Sequence, residues 1–267
     1  MPGCWLWVSR VTRNKGDACT HSPRLQRTSP QPQREAAPMT IGGDAPEAGD
    51  WYGCLHLAGD FAVLYGGIGD AVAHRHYCHQ VARGEAIQAW TGHGEVSGPC
   101  VLIPSQTRHR LRVSAAPCWL VFAEPLAFAA DTLHRAVARA PASLPAIAQA
   151  VLDVRRPRPL DPRVAATLER IDALPGERVH AAALAREAAL SLSQLERLFS
   201  AQVELPVRRL ILWRRLRLAL HLAWSGDSLT RAAHAAGFAD SAHLSRSMRS
   251  LFGVSPSRIV RSLRPPP

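Results

Sequence analysis

Apolar positions along this chain change their period near its middle. From Trp51 to about Pro125 they come in short runs: Phe61 to Tyr65, Cys100 to Ile103, Arg110 to Val113 and Trp119 to Phe122, separated by Gly, Pro and polar turns. Several short strands at this spacing predict a small antiparallel barrel or sandwich. From Leu126 to about Leu152 the chain turns alanine-rich and helical, with breaks near Pro141 and Pro145. Arg155-Arg-Pro-Arg-Pro159 reads as a stiff, basic linker over residues 155–160. Everything after it carries the helical period.

Within that last part the helix signals are explicit. Pro162 fits the first turn of a helix capped by Asp161, and Pro175-Gly176 ends it. A short helix follows around Ala182 to Ala189, and another begins near Leu192. There Leu195, Leu198 and Phe199 fall on one face, while Ser193, Glu196 and Arg197 fall on the other. Pro206 opens a connecting helix that runs to about Trp224 and stops at Gly226, with Leu210, Ile211, Leu218 and Leu222 as core candidates. Its Arg208, Arg209, Arg214, Arg215 and Arg217 leave two readings open, a solvated face or contacts to phosphate. In the final unit Leu229, Ala232, Ala233, Ala236, Phe238, Leu244, Met248 and Phe252 form the apolar set, leaving Ala242, His243, Arg246 and Arg249 outward. Gly237 suits a turn that needs positive φ.

Composition adds an asymmetry. From Arg155 onward there are 19 arginines against 9 acids, whereas residues 39 to 154 hold 7 against 10. One half is thus suited to approach a polyanion and the other is not. Residues 1–48 are rich in Pro, Gln, Ser, Thr and Arg and are expected to be a disordered extension. Met39 stands just ahead of the first foldable segment, so residues 1–38 are read either as a true tail or as the product of a start assigned too far upstream. The opening residues lack the basic segment and long apolar core of a signal peptide, and no run approaches the ~20 apolar residues of a membrane span. A cytoplasmic location is expected. The six cysteines show no C-x-x-C pairing and are read as reduced, mostly buried thiols.

The last third states one pattern twice. Ala185-Arg-Glu-Ala-Ala-Leu-Ser-Leu-Ser-Gln-Leu195-Glu-Arg197 and Ala233-His-Ala-Ala-Gly-Phe-Ala-Asp-Ser-Ala-His-Leu244-Ser-Arg246 each give a small-residue helix, a tight turn, and a helix with an apolar residue two before an arginine. Two such units on one basic connecting helix argue for a grip on two turns of DNA. Ala236-Gly-Phe-Ala-Asp-Ser-Ala-His-Leu-Ser-Arg246, followed by Leu251-Phe-Gly-Val-Ser-Pro-Ser-Arg258, resembles the signature of the AraC/XylS family of bacterial transcription regulators. The resemblance spans about residues 160 to 262. It implies two recognition helices in successive major grooves, with Ser193, Glu196, Arg197, Ala242, His243 and Arg246 as the DNA-facing residues. Ala189 departs from the pattern, standing where the first unit often has glycine. Leu210, Leu244 and Met248 replace aromatic residues that are common in the family.

In the first half, His74-Arg-His76-Tyr-Cys-His-Gln80 and Gly98-Pro-Cys-Val-Leu-Ile-Pro104-Ser-Gln-Thr-Arg-His109 resemble the two halves of a cupin metal site, H-x-H-x3-E and G-x5-P-x-G-x2-H. Gln80 replaces the carboxylate and Gln106 the second glycine. Three imidazoles suit zinc, iron or nickel, but without the carboxylate the set is neutral and weaker. No metal cofactor is therefore expected. His74, His76, Gln80 and His109 are read as the polar wall of an effector pocket, with a metal on the three histidines, or inert histidines, as alternatives.

The sequence thus predicts an α+β chain: a cupin-like small β-barrel with trailing helices over 49–154, a linker over 155–160, and an all-α double helix-turn-helix domain over 161–267. The expected function is a sequence-specific transcription regulator, not an enzyme, modulated by a small effector. Its expected partners are double-stranded promoter DNA, RNA polymerase if it activates, and a second copy of the chain. The competing expectation is a metal-dependent cupin enzyme with an accessory helical domain.

Overall fold

The computed structural model describes residues 51–264, apart from positions 70, 113, 175 and 178. The extension expected over residues 1–48 lies outside the described residues. Strands β1 (Tyr52–Leu57), β2 (Phe61–Ile68), β3 (His79–Thr91), β4 (Gly94–Ile103), β5 (His109–Leu111) and β6 (Ser114–Ala123) form one antiparallel sheet in the order β4-β3-β6-β2-β1. β3 is long enough to serve two neighbours on one edge. Its first half pairs with β6 and its second half with β5, and its register against β4 shifts between Arg83 and Ile87. That irregularity bends the strand and curls the sheet.

The apolar runs seen in the sequence are nearly continuous because the sheet is covered on both faces. Along β6 the alternation divides them: Trp119, Val121 and Ala123 share a core with α1 (Ala130–Arg139) and α2 (Leu144–Asp153). The intervening Cys118 and Leu120 face the other way, into a core shared with the C-terminal helices. Pro145 starts α2 rather than breaking it, and Ser143 caps that helix by accepting from the Ala146 amide.

The C-terminal part comprises α3 (Pro162–Ala173), α4 (Ala181–Glu187), α5 (Leu192–Val203), α6 (Val207–Trp224), α7 (Leu229–Ala235), α8 (Ser241–Phe252) and α9 (Pro256–Ser262). Asp161 caps α3 as its sequence position predicts. The pairs α4–α5 and α7–α8 are the two helix-turn-helix units. Gly237 turns the second at φ 78°, and Ala189 occupies the matching turn of the first at φ 53°. Ala189 is therefore held in a conformation that costs a residue with a Cβ about 1–2 kcal/mol.

The segment read as a stiff, basic linker is tied to the sheet domain. The Arg156 and Arg158 amides donate to the Ala127 and Leu126 carbonyls at 2.8 and 3.0 Å, and Arg155 pairs with Asp60 at 2.6 Å. At its far end the chain returns to the sheet, where β7 (Leu263–Arg264) runs parallel to β1 and buries Leu263. Between these ties stands Glu124, 3% exposed at the end of β6. Its carboxylate accepts from the Trp213 indole at 2.9 Å, from Arg214 at 2.7 and 2.8 Å, and from Arg217. Asp172 of α3 takes the other side of Arg214 at 2.8 Å. Of the arginines on α6 left open between solvent and phosphate, Arg214 and Arg217 therefore serve an internal ion cluster, and Arg215 donates to the Glu177 carbonyl at 2.6 Å. Of that group, Arg208 and Arg209 are exposed, and Arg214, Arg215 and Arg217 are partly buried.

Three variants followed by urea unfolding check this account. Glu124→Gln leaves two guanidiniums facing a neutral group in a buried site and is expected to cost about 3–5 kcal/mol in urea unfolding. The surface pair Asp161–Arg163 serves as contrast, since Arg163→Ala should leave the unfolding midpoint nearly unchanged. Ala189→Gly should stabilise by about 0.5–1 kcal/mol, the strain relieved less the added chain entropy of glycine.

Candidate nucleic-acid interface

Each recognition helix is started by a side chain that leaves its outward face clear. Ser191 and Gln194 form a reciprocal capping box at α5, and Asp240 caps α8 by accepting from the His243 amide at 2.6 Å. That amide, more than any other group, holds the Asp240 carboxyl below its usual range. Behind the faces, Leu195, Phe199, Leu244 and Met248 are buried. In front, Ser193, Arg197, Ala242 and Arg246 are exposed, so four of the six residues predicted to face DNA lie at the surface of two helix faces, Ser193 with its hydroxyl 3.2 Å from that of Ser191. The other two have work inside the protein. Glu196 is partly buried and its carboxylate accepts from the Val207 amide at 3.2 Å, which caps α6. His243 packs edge-on against Phe238, with ring centroids 5.2 Å apart.

The four residues predicted to line a pocket in the sheet domain come together. His74 and His109 exchange backbone hydrogen bonds of 2.9 and 2.8 Å, joining two segments 35 positions apart. One nitrogen of each of His74, His76 and His109 lies within 4.8 Å of the others. Gln80 projects from β3 into the same group, its Oε1 at 3.1 Å from His76 Nε2 and 2.9 Å from His109 Nε2. His76, Gln80 and His109 are buried, and His74 is partly so. Burial first, then the charge that neighbouring rings would carry, lowers His74 from 6.5 to about 4 and His76 to about 3. Burial lowers His109 too. At neutral pH all three rings are neutral.

This cluster is roofed by the reader. The Phe252 ring at the end of α8 stacks on His76 at 5.6 Å and 28°, and also on Trp213 of α6 at 5.5 Å and 29°. The Gly253 carbonyl accepts from the Val72 amide at 3.2 Å. A Cβ on Gly253 would stand 2.8 Å from His74 Nδ1, so only glycine allows this approach. The sequence carries the histidines in its spacing, but nothing in it places Phe252 against them. Glu124 left a fainter trace, as the lone acid closing the apolar run Trp119-Leu-Val-Phe-Ala.

A curled antiparallel sheet joined to two outward-facing helix-turn-helix units on one basic domain defines a DNA-binding regulator. Residues 184–262 match the helix-turn-helix domain family. A comparison with curated protein sequences gave no match. Among solved structures, unsaturated fatty acid bound wild-type ToxT from Vibrio cholerae strain SCE256 is similar over 76% of this chain and 96% of its own, with a TM-score of 0.51 at 11% identity. ToxT from Vibrio cholerae O395 is similar over 76% of this chain and 98% of its own, with a TM-score of 0.50 at 10% identity. These likenesses are of fold, and they include both the sheet domain and the reader. A transcriptional regulator with an AraC-type DNA-binding domain from Chromobacterium violaceum is 25% identical over 38% of this chain and 90% of its own, with a TM-score of 0.36. Residues 184–262 are a helix-turn-helix domain. Among the described residues no helix is long and apolar enough to cross a membrane.

The lowered histidine values set a pH dependence. Unfolded histidines take up protons as pH falls through about 6.5, while the folded rings resist until about 4 or below. Above pH 6.5 both states are neutral and the cluster adds no slope; between 6.5 and 4 the unfolded state binds more protons and stability falls. Thermal unfolding followed from pH 7.5 to 4 should show this decline, and His74→Asn, with one such ring fewer, should show a shallower one. A flat profile over that window would mean that the rings protonate in the folded protein.

Proposed function

We propose that the chain reads promoter DNA as one rigid two-headed unit, with α5 and α8 entering successive major grooves. The observation that carries this is α6. It spans 18 residues, about 27 Å of helix, and joins two units whose recognition faces are both exposed. Adding the offset of the recognition helices themselves, that span suits the ~34 Å of one DNA turn. Ser193, Arg197, Ala242 and Arg246 meet base edges and nearby phosphates, with Ala242 able to contact only a thymine methyl. His243 reaches the groove from its perch on Phe238, and Glu196 contributes mainly by holding α6. Arg208 and Arg209 add phosphate contacts that carry no sequence information.

The sheet domain acts as the sensor in this reading. His74, His76, Gln80 and His109 form its receiving site, because they lie against the end of α8 and a change there alters what the reader packs on. ToxT, similar to this chain in fold, has been solved with an unsaturated fatty acid bound, which supports a small-molecule ligand for this chain as well. Pairing with a second copy through α1 and α2, and contact with RNA polymerase if the regulator activates, belong to the same proposal.

The test is in vitro selection of genomic fragments by the purified full chain, followed by footprinting. A motif of two short blocks about one turn apart is expected. Against the recovered site, Arg197→Ala or Arg246→Ala should cost about 1–3 kcal/mol if the arginine reads a base. Equal weakening on every sequence, with a smaller salt slope, would assign that arginine to phosphate instead. No enrichment above random fragments, with metal present or absent, would overturn the proposal.

A further inference from the structure

The sheet domain holds more acids than arginines, yet its arginines are gathered. Four of the seven between residues 39 and 154, Arg75, Arg108, Arg110 and Arg112, lie in or beside β5 and are exposed. Pairing with β3 runs past both ends of β5. The Gly92 amide donates to the Arg108 carbonyl at 3.1 Å, and the Arg112 amide to that of Gln88 at 2.9 Å. Alternation then fixes the faces. His109 and Leu111 are buried on the inner face, and Leu111 shares its core with Leu244 and Met248 of α8. Arg108, Arg110 and Arg112 stand on the outer face in a straight row, about 6.8 Å from one to the next. Arg75 widens the row, next to His74 on the segment bridged to His109. Helices α1 and α2 cover the outer face at Val81, Trp119 and Val121. They leave it bare at this end, where Trp90, across from Arg110 on β3, is 46% exposed.

Among the described residues the side chains of Arg75, Arg108 and Arg110 enter no ion pair or hydrogen bond, and Arg112 donates to the neutral Gln88 amide at 2.8 Å. Glu95 on β4, in register with Trp90, is the acid set beside them. One carboxylate cannot neutralise four guanidiniums spread along a row, and a small anion would reach only two neighbours. A polyanion meets them all. The straight, even spacing suits a phosphodiester backbone, whose contacts with arginine release counterions and read no sequence. The exposed Trp90 indole N–H is a further donor for phosphate oxygen. The recognition face of α8 gives the direction. Ala242 and Arg246 are exposed on the side of α8 opposite Leu244 and Met248, which pack towards the sheet. The arginine row looks out from the far side of that sheet, so a duplex read by α8 lies across the molecule from it. We infer that the outer face of the sheet domain holds a second segment of duplex DNA by its backbone, through Arg75, Arg108, Arg110 and Arg112, so that one chain bridges a segment it reads to one it does not. A chain seated on DNA meets neighbouring duplex at high effective concentration, which lets a weak, sequence-independent grip take effect.

This inference rests on the reading of α5 and α8 as the DNA reader, and the test keeps the two apart. A long duplex lacking the selected site is immobilised in excess, and the full chain is asked to capture on it a short labelled duplex that carries the site. Capture by the wild type is expected, weakening with salt at a log–log slope of about −2.7, as three phosphate contacts give. Arg75→Ser/Arg108→Ser/Arg110→Ser changes three exposed side chains. It should lose capture while keeping the thermal midpoint and the affinity for the short duplex alone. The same three positions changed to lysine keep the charge and should keep capture; loss there as well would overturn the charge as its cause. Capture that survives the serine variant would overturn the inference, because two readers in a paired molecule could bridge DNA without the row. So would absence of capture by the wild type, the result expected if the row meets an acidic protein face instead. Failure of the reader appears elsewhere, as a selection that returns no site. The row is then judged on the immobilised duplex alone: a wild-type salt slope steeper than that of the serine variant by about 2.7 supports it, and equal slopes overturn it.

Discussion

A single buried carboxylate fixes how the two halves of this molecule meet. Glu124 ends the central strand β6 and receives the Trp213 indole and the guanidiniums of Arg214 and Arg217, all from the connecting helix. Burial alone would raise its carboxyl, but the two arginines and the indole more than offset that and hold it below its ordinary value. A buried cluster of this kind adds little net stability compared with an apolar contact of the same shape, yet it is costly to break. Its value here is positional. Three donors from one turn of α6, at positions 213, 214 and 217, must all reach one carboxylate, which sets the rotation and height of α6 on the sheet. Both helix-turn-helix units are built on α6 and inherit that placement.

The other ties act in the same direction. The strand added by Leu263–Arg264 returns the end of the reader to the edge of the sheet, and Arg155 anchors the connecting segment to Asp60. The second face of the sheet is covered by the reader itself, through Leu120, Leu244, Met248 and Leu263 in one core. The sheet domain and the helical domain are therefore not two beads on a string. A rearrangement of the histidine cluster cannot occur without altering the packing of Phe252, because that ring lies between His76 and Trp213. A two-state response needs a ligand that prefers one packing over the other, and this stack is where the preference can be expressed.

Much of this was legible from the chain. Asp161 and Pro162 mark a helix start that the structure keeps, and the doubled helix-turn-helix pattern identifies the reader. The spacing of His74, His76, Gln80 and His109 predicts their convergence. What escaped is contact between segments with no local signature. Alternation along Trp119-Leu-Val-Phe shows burial on both faces of the sheet but not which helices cover each. Arginines at 214 and 217 look like any basic helix face until Glu124, some ninety positions earlier, is placed beside them. Ala189 was visible as a departure from glycine, and its positive φ explains why glycine would be the easier residue there. Glu196 lay on the polar side of α5 as expected, but the chain alone does not show that the start of α6 would claim its carboxylate.

The central claim is that α6 makes the two recognition helices one rigid reader, and the most direct measurement is binding to the selected site with its two blocks moved apart. Insertion of 5 base pairs should abolish specific binding by turning the second block to the far side of the duplex. Insertion of a full turn, about 10 base pairs, should fail to restore it, because an α-helix cannot stretch to cover the added distance. Specific binding that survives both insertions, or returns at the full turn, would contradict the rigid two-headed reader and mean that the units engage DNA independently.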